Sequence, residues 1–106
     1  MIEPPRPVGP PDQKDIGGED AEIVLSWEGA LQEGQQFAVS VQYVDRLSET
    51  KTYGSLQRVK RWRVPNAIFK DIHPTLRALK WAVTVIDAAG SPLSAPSEAR
   101  IFVWHP

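Results

Sequence analysis

The segment Leu79-Lys80-Trp81-Ala82-Val83-Thr84-Val85-Ile86 constrains the fold more than any other part of the chain. Side chains of an extended strand alternate between two faces, so Trp81, Val83 and Val85 share one side and Ala82, Thr84 and Ile86 the other. Both sides are largely apolar. Such a strand belongs inside a sheet, covered on one side by a packed layer and flanked by neighbours. The next residues, Asp87-Ala88-Ala89-Gly90-Ser91-Pro92, carry turn chemistry, and residues 98–104 supply a return strand rich in Ile, Phe, Val and Trp.

The same alternation recurs upstream. In residues 22–28, Ile23, Leu25 and Trp27 alternate with Val24 and Ser26, the half-buried pattern. Residues 36–45 alternate most cleanly, with Phe37, Val39, Val41 and Tyr43 on one face. From 52 to 64 the chain turns basic, neither parity is apolar throughout, and one or two short edge strands are expected. Ala67-Ile68-Phe69 forms a short apolar patch, and no segment carries a helical hydrophobic period over ~10 residues. About six or seven short strands predict an all-β sandwich. Leu25, Trp27, Phe37, Val39, Val41, Trp81, Val83 and Val85 should share its core.

A chain of 106 residues, 42% of them hydrophobic, suits one domain. Without cysteine it has no disulfide framework and no thiolate metal site, and the compartment is left open. A formal net charge of -1 gives no global field to steer it towards nucleic acid or anionic lipid. No run approaches the ~20 apolar residues of a membrane span, and the first residues lack the basic start and apolar centre of a signal peptide. Residues 1–12 hold Pro4, Pro5, Pro7, Pro10 and Pro11, half of the ten prolines. They read as a Pro-rich linker or an irregular first strand that adds little to stability, ahead of a domain over 13–106. Pro7-Val8-Gly9-Pro10 also has the spacing of a polyproline ligand, though a spacer is the simpler reading. Glu19, Asp20 and Glu22 beside two glycines read as a solvated turn rather than a calcium site.

From residue 22 to 104 the chain resembles the fibronectin type III family. Ile23-Val24-Leu25-Ser26-Trp27 is similar to that family's second strand, whose apolar-x-apolar-x-Trp pattern sends the indole into the core. The run from Leu79 to Asp87, with Gly90 and Ser94, is similar to its sixth strand and the adjoining loop. The resemblance implies an immunoglobulin-like, two-sheet sandwich of about seven strands, used as a spacer or binding module in multidomain proteins. Versions appended to bacterial surface, secreted or signalling proteins look most similar, which favours an extracellular or cell-surface setting. Where the family has a corner tyrosine this chain has Trp81, so the corner hydrogen bond should differ or be absent. The loop reads Ala89-Gly90-Ser91-Pro92, without the Arg-Gly-Asp triplet of some relatives, and integrin-type binding does not transfer.

Catalytic chemistry has little to stand on. The only histidines are His73 and His105, and a Ser55, His73, Asp71 triad drawn through the sequence would be one of many such coincidences. No catalytic, metal or cofactor residues are assigned. The one local departure from neutrality is Arg58-Val59-Lys60-Arg61-Trp62-Arg63, in which Arg58, Lys60, Arg61, Trp62 and Arg63 form a possible binding surface. Trp62 among guanidinium groups could stack on a sugar, a base or a partner side chain, or pack inward while the basic side chains snorkel out. Alternation opposes a shared patch, since Arg61 and Arg63 point away from Lys60 and Trp62. The expected function is a noncatalytic spacer or protein-interaction module of a larger protein, monomeric as an isolated domain, whose partners are neighbouring domains or another protein. The alternative is carbohydrate or polyanion recognition through Trp62 and its arginines, with nucleic acid disfavoured.

Overall fold

The computed structural model describes residues 3–18 and 22–105. Two sheets pack face to face. The smaller holds β1 (Arg6–Gly9), β3 (Val24–Glu28) and β6 (Arg61–Arg63) in that order. The larger runs β2 (Lys14–Gly17), β8 (Arg100–His105), β7 (Ala78–Ile86), β4 (Gln36–Val44), β5 (Thr50–Gln57). One short helix, α1 (Asn66–Asp71), leads from β6 towards β7. The expected all-β, two-sheet architecture is thus the observed one.

β7 occupies the middle of the larger sheet. Its antiparallel register with β4 sets Val39 opposite Val83, Phe37 opposite Val85 and Val41 opposite Trp81. All eight residues expected to share the core are at most 2% exposed. Trp27 meets Phe37 edge to face, with ring centroids 5.6 Å apart at 76°, so the two sheets interlock through aromatic rings. Phe102 and Leu79 continue the same core towards the other end, where Phe69 stacks on Trp104 at 4.5 Å.

The other side of β7 is shared by two different partners. β8 pairs with its first half, from Ala78 opposite Val103 to Trp81 opposite Arg100. Along the second half, the Pro92-to-Ser97 segment supplies serine hydroxyls instead: Ser97 Oγ accepts from Val83 N–H (2.9 Å) and Ser94 Oγ from Val85 N–H (3.0 Å). Buried main-chain donors require a partner, and these two serines provide one where Pro92 and Pro96 interrupt regular pairing. Both hydroxyls are buried as a result.

Of the two readings of the N-terminal segment, a linker or an irregular first strand, the structure has the strand. From Arg6 to Gly9 it is a strand, antiparallel to β3, with Pro7 opposite Trp27 and a slip in register between Pro7 and Gly9. Pro5 and Pro7 are buried, so Pro7 lies in the sandwich rather than on a free polyproline ligand. Proline is tolerated because β1 is an edge strand, where a missing N–H can face the open side. The chain then crosses to the larger sheet: Gln13 N–H donates to Ile101 O (2.7 Å), Asp12 Oδ1 accepts from Ile101 N–H (2.9 Å), and β2 continues parallel to β8. Met1, Glu19 and Asp20 lie outside the described residues.

The apolar patch at 67–69 belongs to α1, six residues with Ile68 and Phe69 buried. It is too short for a hydrophobic period to reveal it. Truncating Trp81 to alanine should cost about 3–5 kcal/mol in denaturant unfolding, the range for a buried large aromatic. Deleting residues 1–9 should lower Tm by at least ~4–8 °C, the shift that ~1 kcal/mol produces in a domain of this size.

Candidate binding surface

The basic segment is divided among a bend and a three-residue strand. Arg58, Val59 and Lys60 form the bend after β5 and are exposed, and Arg61, Trp62 and Arg63 constitute β6. Because β6 pairs with β3 only from Val24 to Ser26, its alternation is fixed by a short register, with Leu25 opposite Trp62. Trp62 therefore turns towards the core, and Arg61 and Arg63 turn to the outer face of the smaller sheet. Trp62 is half-buried and packs against the core cluster.

What covers Trp62 is Tyr53 of β5. The rings stack with centroids 5.9 Å apart at 20°, closing the gap between the edge strands of the two sheets. The indole face is consequently occupied by a side chain of this domain, while the tyrosine remains partly open to solvent. Stacking also explains the placement: β5 carries polar residues on its inward parity, and Tyr53 is the one with an apolar body long enough to reach across.

The arginines do not converge either. Arg63 lies 3.2 Å from Glu22, and on the same outer face Arg6 lies 2.7 Å from Glu28. These pairs are exposed and contribute little to stability, but they break up the positive field of the strip. Arg58, Lys60 and Arg61 make no ion pair among the described residues. The five expected residues thus form a dispersed set: two arginines on the outer face, one indole turned inward, and two cations on the bend.

Sequence reasoning passed over a tighter constellation at the opposite end of the larger sheet. Tyr43 lies near the end of β4 and Asp45 just beyond it, Lys51 is the second residue of β5, and Asp71 ends α1. Tyr43 Oη donates to Asp71 Oδ2 (3.0 Å), and Lys51 Nζ lies 3.0 Å from Asp71 Oδ2 and 3.2 Å from Asp45 Oδ2. Asp45 Oδ1 accepts from Leu47 N–H (2.8 Å) and Glu49 N–H (2.9 Å), capping the turn into β5. The Asp45 side chain is only 1% exposed. Backbone donation from Glu49, opposed by burial and helped by Lys51 and Leu47, holds its carboxyl below the usual range. The two carboxylates push the Lys51 ammonium up, Asp71 more than Asp45. Burial, then the hydrogen bond to Asp71, pushes the Tyr43 phenol up. The sequence signal was faint, because Lys51 and Asp71 are separated by 20 positions and joined only by tertiary folding.

This wiring also disposes of the triad drawn through Ser55, His73 and Asp71. Asp71 is committed to Tyr43 and Lys51, Ser55 Oγ accepts from Gln57 Nε2 (2.8 Å), and His73 Nδ1 accepts from the N–H groups of Thr75 (3.1 Å) and Leu76 (3.0 Å). The histidine caps a turn. Trp81 Nε1 is buried without a hydrogen-bond partner, so at this residue the corner bond is absent. Trp104 Nε1, by contrast, donates to Gly18 O (3.0 Å), and the Arg77 guanidinium sits 4.4 Å from its ring centroid.

No protein-family model matches the chain, and none of the curated proteins compared with it matches either.

The shifted groups of this cluster, Asp45, Tyr43 and Lys51, make stability depend on pH. A folded carboxyl whose pKa is lowered contributes stability that is complete above the unfolded value of about 3.9 and lost as pH falls through the folded value. Tyr43 and Lys51, both raised, contribute stability that is complete below about 10 and lost as pH rises beyond it. Tm should therefore be level between the two limbs and fall at each. Asp45→Asn should flatten the acid limb in thermal melts recorded across pH, and an unchanged acid limb would remove Asp45 from its cause.

Proposed function

We propose that this chain is a fibronectin type III-like, immunoglobulin-like module that acts as a noncatalytic spacer or protein-interaction domain within a larger protein. Support for the fold type comes from strand order. β1, β3 and β6 share one sheet and β5, β4, β7 and β8 the other, so the chain changes sheet between β3 and β4, between β5 and β6 and again between β6 and β7, as in Greek-key sandwiches. β2, parallel to β8, is an addition made by the first strand as it changes sheets.

The observation that carries the spacer reading is where the chain enters and leaves. Arg6 stands opposite Glu28, beside the connection from β3 to β4, where Gln36 pairs with Ile86. His105 stands opposite Gly17 at the other end of the sheet, one residue past Trp104, whose N–H donates to Arg77 O (3.2 Å). The ends therefore point in opposite directions along the strands of a body 41 Å in its longest dimension. A module threaded this way holds its two neighbours in a longer chain apart. Carbohydrate or polyanion recognition has less support, since Trp62 is covered by Tyr53 and faces away from Arg61 and Arg63.

The chain has no cysteine, so labels can be placed at will. Spin labels on Arg6→Cys and His105→Cys should report a separation of roughly 30 Å, the rise of a nine-residue strand at ~3.3 Å per residue. A separation near half that would defeat the spacer reading. A heparin titration at low salt should show no saturable binding. Tight binding abolished by neutralising Arg61 and Arg63 would transfer the function to the basic strand.

A further inference from the structure

Four strands stand at sheet edges, and three of them are protected against pairing with another chain. β1 carries Pro7 and a slip in its register, β2 is four residues long with Lys14 and Asp15 exposed, and β6 is three residues long with an exposed arginine at each end. Prolines, irregular register, short length and charge are the usual defences of an edge. β5 has neither the proline, the slip nor the short length, and little charge. It is eight residues long, pairs with β4 in unbroken register from Gln57 to Thr50, and contains no proline. Its only charged residue, Lys51, is turned onto Asp45 and Asp71.

The direction of its free main-chain groups is dictated by the turn. Asp45 N–H donates to Glu49 O (2.8 Å), which marks these residues as a hydrogen-bonded pair of the β4–β5 ladder. Such pairs alternate, so Lys51, Tyr53, Ser55 and Gln57 bond to β4, and Thr50, Thr52, Gly54 and Leu56 turn their N–H and C=O groups outward. We propose that β5 pairs antiparallel with β5 of a second copy of this chain, about a two-fold axis at Tyr53, joining the larger sheets of two domains into one.

This register is self-complementary in three respects. Thr50 falls opposite Leu56 of the second copy and Thr52 opposite Gly54, so every outward main-chain group finds a partner of the opposite kind. On the inward side Lys51 meets Ser55 rather than another lysine, and the two Tyr53 rings, each already stacked on its own Trp62, become neighbours. At each end the exposed Glu49 of one copy falls opposite Gln57 of the other, with Arg58 next along in the bend. Neither Glu49 nor Arg58 makes an ion pair within the chain among the described residues, so an unpaired acid and an unpaired base are brought near each other at both ends of the seam. A two-fold axis makes one patch serve both partners, which is why a single undefended strand suffices. The pairing goes beyond the spacer role and does not rest on it. It replaces the expectation of a monomer.

Sedimentation velocity over a concentration series tests it directly. The domain should dimerise with a Kd on the order of 100 μM, weak because an edge-to-edge seam buries less than a standard interface. Thr52→Pro removes an outward N–H without touching the bonds to β4 and should abolish association while the thermal melt shows a folded protein. Glu49→Arg should weaken association about tenfold, because the axis repeats each lost contact. The double variant Glu49→Arg/Arg58→Glu should restore it. A wild-type protein that stays monomeric at ~1 mM overturns the proposal. So does a dimer indifferent to Thr52→Pro, or a charge reversal that the second reversal fails to rescue. If Thr52→Pro does not fold, the charge pair alone decides.

Discussion

The ladder between β4 and β7 is the constraint on which the rest depends. It places two nine-residue strands side by side with their apolar parities aligned, so Phe37, Val39 and Val41 meet Val85, Val83 and Trp81 on one surface. Burying each of these side chains contributes roughly 1.5–3 kcal/mol before conformational entropy is counted. A shift of one residue would turn that surface to solvent, so the hydrophobic pattern itself fixes the register. Everything else is arranged to cover that surface or to finish its edges: β3 brings Leu25 and Trp27 across from the smaller sheet, and α1 closes one end with Ile68 and Phe69.

What was legible in the sequence is what period-two alternation can carry. The strands over 22–28, 36–45 and from Leu79 onward were recognisable because burial on one face leaves a mark at every second residue. The edge character of the basic stretch was legible as well, since neither parity of residues 52–64 is apolar. Lost to the sequence were features that depend on tertiary partners. Pro7 speaks against a regular strand on local grounds, and an edge position beside β3 admits it to one. Ser94 and Ser97 look like loop residues, and their role in satisfying Val85 and Val83 emerges only when the loop lies along β7. Lys51 reads as a turn residue until Asp71 is brought to it.

The candidate surface was legible in composition and not in geometry. Alternation told correctly that Trp62 and the flanking arginines face opposite ways. It could not tell that Tyr53 would lie over the indole, because that contact joins edges of different sheets. The same contact leaves β5 held against the sandwich by its inward side chain while its outer main chain stays open. A basic, aromatic hexapeptide therefore draws attention to one edge, while the unguarded main chain lies on the edge beside it.

The parallel pairing of β2 with β8 has a mechanical consequence. Tension transmitted through the two chain ends pulls Lys14 towards one end of the body and His105 towards the other, along the axes of two strands that run side by side in the same direction. The hydrogen bonds joining them lie across the direction of pull, so they must yield together and not one after another as in a peeled hairpin. Asp12 and Gln13, both bonded to Ile101, lengthen that seam at its upstream end. A domain whose first strand merely flanked its own sheet would open strand by strand under the same force. Here the crossing of the N-terminal segment from one sheet to the other becomes a clasp that resists extension.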